Sequence, residues 1–217
     1  MPFETTLMWR SVPILLEGLT VTLWLSLLAI VLSALWGVVI LLALRAKRLI
    51  YGVGRVYVEI MRNTPIIVIM FFIFFGSGMV GYPMTGFAAG LLSLVLQKGA
   101  YIAEIYRGGI QGVSVRQTEA GLALGFMPRK TFLLIVLPQA IRKVIAPLGT
   151  QGVMIIKDTA IVATISVAEM TFQARLLADR TAAVFEIFIA LAALYIILTS
   201  VFNLGVRVLE RKYGYKN

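Results

Sequence analysis

Long apolar runs restrict this 217-residue chain to one kind of fold. A helix needs about 20 mostly apolar residues to cross the roughly 30 Å hydrocarbon core of a bilayer, because it rises about 1.5 Å per residue. About five segments meet that test, at residues 18–44, 55–78, 86–106, 142–167 and 184–206. Hydrophobic residues make up 60% of the chain and charged residues only 14%, with a mean hydropathy of +0.94, a balance outside the range of soluble domains. An all-α integral membrane protein follows. No linker, repeat or low-complexity tract divides it, so residues 1–217 read as a single transmembrane domain. Residues 1–44 differ from a secretory signal, because the apolar run is too long and its positive charges follow it. Residues 1–17, with Trp9 among several apolar side chains, are expected to form a short outer-surface helix.

Basic residues orient the spans. They gather in the 45–55 loop, the 107–130 loop and the C-terminal tail, while the 78–86 turn, broken by Gly78, Gly81 and Pro83, has none. By the positive-inside rule the basic loops and the C-terminus are cytoplasmic and the N-terminus is outside. The same rule accounts for the net charge of +10 without nucleic acid as a partner. The partner that composition does demand is the lipid membrane. With no cysteine and no histidine, the chain lacks thiolate chemistry and the commonest general base and metal ligand. No catalytic residue, metal site or resident cofactor is expected.

The loop at about 111–131 holds the most specific pattern: Glu119-Ala120-Gly121, three residues, Gly125, nine residues, then Ile135-Val136-Leu137-Pro138. Residues 114–124 suit a helix, Gly125 suits its termination, and Pro128 suits the first position of a following helix. Ala120, Gly121 and Ala123 are small enough for another backbone to approach. Leu122, Leu124, Phe126 and Met127 are apolar in a water-facing loop, which marks a partner surface unless they fold back onto the membrane helices.

This spacing resembles the cytoplasmic coupling loop of importer permeases driven by ATP-binding-cassette (ABC) ATPases, which reads Glu-Ala-Ala, three residues, Gly, nine residues, Ile, any residue, Leu-Pro. Gly121 stands where that pattern has its second Ala. Residues 99–104 with Arg107 to Gln111, Arg62-Asn63-Thr64-Pro65, and Lys157-Asp158-Thr159-Ala160 are similar to the polar amino acid branch of the family, and the likeness spans roughly residues 15–210. It implies a type I importer permease fold in a bacterial inner membrane. It also implies three partners: a second permease copy or a related permease subunit, a cytoplasmic ABC ATPase dimer, and an extracytoplasmic substrate-binding protein. On that resemblance Glu119, Ala120, Gly121, Leu122, Gly125 and Phe126 contact the ATPase. The nearest likeness to a phosphate-binding loop, Gly125 through Lys130-Thr131, lacks the second glycine. ATP and Mg are therefore expected on the partner subunit, and this chain is expected not to be an enzyme.

Ionisable residues inside spans cost about 2.5–3.5 kcal/mol each on insertion scales and are functional candidates by default. Here they are Glu59, Arg62, Lys98, Glu104, Lys157 and Asp158, a balance of signs suited to a zwitterion. Glu59 with Arg62 at i,i+3, and Glu104 with Arg62 or Arg107, are candidate internal pairs. Lys157, Asp158 and Thr159 fall near mid-span, where transporter sites usually lie. Pro65 interrupts the second span near half depth, and Asn63 and Thr64 beside it offer neutral donors and acceptors. Asn63, Thr64, Pro65, Lys157, Asp158 and Thr159 are the expected substrate pathway, and the resemblance adds the region of Glu169. Pro138, Pro147, Gly149 and Gly152 are expected either to loosen the fourth span or to permit close packing. Phe71, Phe72, Phe74 and Phe75 are expected to face lipid or the partner permease. Two other classes fit parts of the pattern: a stand-alone secondary transporter driven by an ion gradient, and an assembly subunit without a pathway.

Overall fold

The computed structural model describes residues 5–214. Its helices run α1 (Thr5–Ala43), α2 (Arg48–Asn63), α3 (Ile66–Met79), α4 (Gly86–Gln111), α5 (Val115–Ala123), α6 (Pro128–Thr131), a π turn (Phe132–Val136), α7 (Leu137–Asp158), a 3₁₀ segment (Thr159–Ile165), α8 (Met170–Thr181) and α9 (Val184–Tyr213). Among the described residues four helical runs are long and apolar enough to cross a membrane: α1, α4, the continuous run Pro128–Ile165, and α9. A fifth span exists only as the pair α2 and α3, which meet at 106°.

Three expectations change. The surface helix expected at residues 1–17 is, from Thr5 onward, the first part of α1; residues 1–4 lie outside the described residues. Ser11 and Leu15 are fully buried there, and Leu15 packs with Met170, Ala174 and Ile187 of α8 and α9, so the early turns belong to the bundle. The second span is two helices, because Pro65 has no N–H to continue the ladder and starts α3. The fourth span begins at Pro128, not near Arg142, and its 38 residues extend about 55 Å, nearly twice the ~30 Å apolar thickness. Pro138 does not break it. A π turn, in which the Leu137 N–H reaches the carbonyl of Phe132, widens the backbone directly before that proline.

The main core joins α1 (Leu25, Ala29), α3 (Met70), α4 (Ala89, Leu94), α7 (Ile155) and the 3₁₀ segment (Val162, Ile165). Phe71 and Phe74 pack against it, contrary to expectation, whereas Phe72 and Phe75 are exposed. Exposed Trp24, Leu35 and Leu42 of α1 and Ile196, Val201 and Leu204 of α9 leave a broad apolar outer surface, as a hydrocarbon solvent allows. Between helices in lipid, close packing and hydrogen bonds replace the hydrophobic effect as the source of association. Gly149 and Gly152 serve the packing role: a Cβ on them would lie 2.1 Å from Val206 Cγ1 and 2.5 Å from Phe202 Cζ, so α9 rests directly on the α7 backbone.

A polar bridge fastens α1, α2 and α4. The Trp36 indole donates to the Tyr57 hydroxyl at 2.7 Å, and that hydroxyl donates to the Leu96 carbonyl at 2.7 Å. Tyr57→Phe leaves both groups without this partner and is expected to cost about 1–3 kcal/mol. Thermal unfolding of the detergent-solubilised protein, wild type against variant, checks it; an unchanged midpoint contradicts the bridge.

Candidate functional site

Two regions of the molecule carry the sequence candidates, one in the middle of the bundle and one at the end where the basic loops lie. The first is organised by α4. Gln97, Tyr101 and Glu104 recur at helical spacing along this helix, with Lys98 beside them.

Where α2 stops, its last carbonyls lack intrahelical partners. Gln97 Nε2 donates to the Thr64 carbonyl at 2.7 Å, and the Tyr101 hydroxyl donates to the Arg62 carbonyl at 2.9 Å. The break is thus held open by side chains of a neighbouring helix. Asn63 is exposed and donates to the Glu59 carbonyl at 2.8 Å. The half-buried Thr64 donates its hydroxyl to the Ile60 carbonyl at 2.8 Å, and Pro65 is exposed at the corner.

Lys98, only 5% exposed, forms an ion pair with Asp158 at the end of α7. The Tyr101 ring lies close to two cations, with Arg62 Cζ 5.3 Å and Lys98 Nζ 5.7 Å from its centroid. The break and the end of α7 therefore meet on one face of α4. Of the other two pathway candidates, Lys157 is exposed, and Thr159 is buried with its hydroxyl donated to the Ile156 carbonyl at 2.7 Å. A cleft of about 200 Å³ opens beside this cluster, lined by Val58, Glu59, Arg62, Asn63 and Tyr101.

Glu104 sits among three neighbouring arginines. It accepts from Arg107 Nε at 3.0 Å and Nη2 at 2.7 Å, and Arg62 and Arg55 lie 3.5 and 3.8 Å away. Both pairings expected of Glu104 occur. Glu59 pairs with Arg55 at 2.7 Å, and not with Arg62, whose guanidinium is drawn to Tyr101 and Glu104.

Glu169 is not part of this cluster. Its side chain is fully buried, capping α8 by accepting from the Phe172 N–H at 2.8 Å and bonding the Tyr195 hydroxyl at 2.9 Å. Burial pushes its carboxyl above the usual range, and the N–H and hydroxyl donors offset part of that rise. This is a helix cap seated against α9, with the Glu169 carboxylate itself enclosed by the protein.

The second region is α5 and the turn after it. Gly125 takes φ +82°, the Phe126 N–H bonds the Gly121 carbonyl at 3.1 Å, and the Gly125 N–H bonds that of Leu122 at 2.9 Å. These are the two bonds of a Schellman stop, followed at once by Pro128 at the first turn of the next helix. Glu119, Ala120, Leu122 and Gly125 are exposed, Phe126 is half-buried with Lys130 Nζ 5.2 Å from its ring centroid, and Gly121 is buried. Leu124 and Met127 are 74% and 73% exposed, so the apolar tip stands clear of this chain's own bundle.

Sequence reasoning missed Gln97 and the role of Tyr101. A polar residue every turn along an otherwise apolar helix was the available signal. The pairing of Lys98 with Asp158 had no local signal, since it joins different helices.

Residues 30–215 match the family described as binding-protein-dependent transport system inner membrane component. The glutamine transport system permease protein GlnP of Escherichia coli (strain K12) is 36% identical over 98% of each chain. The probable glutamine ABC transporter permease protein GlnM of Bacillus subtilis (strain 168) is 34% identical over 96% of this chain and 97% of its own. A solved structure, that of an amino acid ABC transporter with histidines, superposes with a TM-score of 0.93 at 33% identity, covering 98% of this chain and 100% of the other. With this agreement across nearly its full length, the chain belongs to the binding-protein-dependent transport system inner membrane components, multi-pass proteins of the bacterial inner membrane.

Proposed function

We propose that this chain is the pathway-forming permease subunit of an ATP-driven importer for a polar amino acid, working by alternating access. The observation that carries the reading is mechanical continuity. The loop with the Glu119 to Pro138 pattern is an exposed helix with an apolar tip, and one unbroken helical run joins it to Asp158 in the central polar cluster. An ATPase pair gripping α5 through Glu119, Ala120, Leu122, Gly125 and Phe126 would act at one end of that lever, and substrate at the other. ATP and Mg belong to that pair. A second permease copy or a relative completes the pathway, and a binding protein delivers substrate from outside. In this reading the basic ends, at Arg45 to Arg48, at Arg107, at Arg129 and Lys130, and at Arg207 to Lys212, are cytoplasmic and the N-terminus is outside. An ion-driven carrier is not retained, because the Bacillus relative is named an ABC permease over almost the same length.

The cluster suits a zwitterion. In the cleft Arg62 offers positive charge to a carboxylate, Glu59 offers negative charge to an ammonium, and Asn63 offers an amide to a polar side chain, with the Lys98–Asp158 pair beside it. Glutamine is the first candidate, because two of the relatives are named for it.

Two measurements test this reading. Affinity purification of the tagged chain from its native membrane is expected to recover an ATPase, lost in a Glu119→Lys/Leu122→Asp variant that still inserts, since both positions are exposed. No ATPase with wild type overturns the importer assignment. In a transport assay, Asp158→Asn leaves buried Lys98 unpaired, at a cost of about 3–5 kcal/mol in stability, and import falls with it. Lys98→Met/Asp158→Asn removes both charges, which should restore stability but not import; wild-type import in that double variant would make the pair purely structural.

A further inference from the structure

At position 121, where the pattern has its second alanine and this chain has glycine, a side chain would be crowded by this chain's own residues. Gly121 is the buried residue of α5. A Cβ there would lie 2.6 Å from Thr131 Cγ2, 3.1 Å from Thr131 Oγ1 and 2.9 Å from Ile135 Cδ1. The Ile135 methyl ends a flexible side chain and can move. Thr131 is held more firmly, because it is fully buried with both of its γ atoms facing the glycine, so turning either one away drives it into packed interior. Among the described residues its hydroxyl has no hydrogen-bond partner, and its contacts with Gly121 are steric.

Other contacts act in the same direction. Gln139 Nε2 of α7 lies 3.3 Å from Gln117 Oε1 of α5. The connection between α5 and α6 is the short Schellman turn closed by Pro128. A glycine in the interior of a nine-residue helix weakens it, and close approach to Thr131 is what that weakness provides here.

We propose that Gly121 is the positioning residue of α5: its missing side chain seats α5 on Thr131 and Ile135, so that α5 and the start of the Pro128–Ile165 run, through the first turns of α7, move as one rigid body. Gly121 and Thr131 form a matched pair, and a methyl added at one position must be removed at the other. The consequence for transport rests on the reading of α5 as the ATPase contact; the seat itself does not.

The chain contains no cysteine, so spin labels can be placed at will. With labels on Arg116→Cys in α5 and Arg142→Cys in α7, both exposed, pulsed electron resonance on the protein in nanodiscs reads the distance between the two helices. Wild type is expected to give one narrow distribution, Gly121→Ala a broadened or displaced one, and Gly121→Ala/Thr131→Ala a narrow one again. Thr131→Val, which keeps the shape and drops the hydroxyl, stays narrow, and Thr131→Ala alone broadens. The last two decide the matter if Gly121→Ala fails to accumulate. A Gly121→Ala distribution equal to wild type, or a double variant no narrower than the single, overturns the seat. In the complex with its ATPase, with glutamine as probe, Gly121→Ala should import less per ATP hydrolysed by at least about fivefold, and the double variant should recover. An unchanged ratio overturns the positioning role. A wild-type chain with a narrow distance and no bound ATPase refutes the importer reading and leaves the seat standing.

Discussion

A helix that stops inside hydrocarbon leaves carbonyls that water cannot reach, and each must find a donor within the protein. In this chain the carbonyls at the corner between α2 and α3 find their donors on α4, in Gln97 and Tyr101. Much of the interior arrangement follows from those two hydrogen bonds. They bring Arg62 over the Tyr101 ring, place Thr64 against α4, and leave the next turn of α4 free to hold Glu104 among three arginines. A straight second span would need none of these groups, and the cleft lined by Glu59, Arg62, Asn63 and Tyr101 would have no corner in which to form.

The ion pair between buried Lys98 and half-buried Asp158 is a second fixture of the interior. Taking Lys98 out of water is costly, and a well-packed apolar pair would serve stability as well or better. The pair makes more sense as a fixture of the pathway, because it ties the end of α7 to the same face of α4 that supports the break. A movement arriving along α7 would thus act on the pair first. The π turn belongs to this route too: it lets Pro138 sit inside a continuous helix without severing it.

Much of this was legible in the sequence, for physical reasons that differ by element. Apolar length alone located α4 and α9, because a span is defined by its solvent. The start of α1 was misread because Arg10 and Glu17 interrupt its apolar run, yet helix formation continues through them wherever one side packs, as at Ser11 and Leu15. Pro65 announced a break but not its angle, which is set by donors on another helix. Arg55 and Arg62 were both within reach of Glu59, and only the folded position of Tyr101 decides which one it keeps. The helix, glycine stop and proline start of 114–128 were readable in full, since Schellman stops and proline starts are local geometry.

Gly121 shows where local reading ends. On propensity alone it weakens α5, and in an isolated helix that would be its whole effect. In the fold the same atom deficit becomes a contact, because Thr131 and Ile135 occupy the space a methyl would have filled. A residue that looks like a defect in its own helix is then the point at which that helix is fixed to the next. Small residues do the same between α7 and α9 at Gly149 and Gly152. In a membrane, where burying apolar surface against a neighbour gains little over burying it in lipid, such close approaches between backbones carry much of the fold, and an exchange of alanine for glycine is a change of geometry before it is a change of stability.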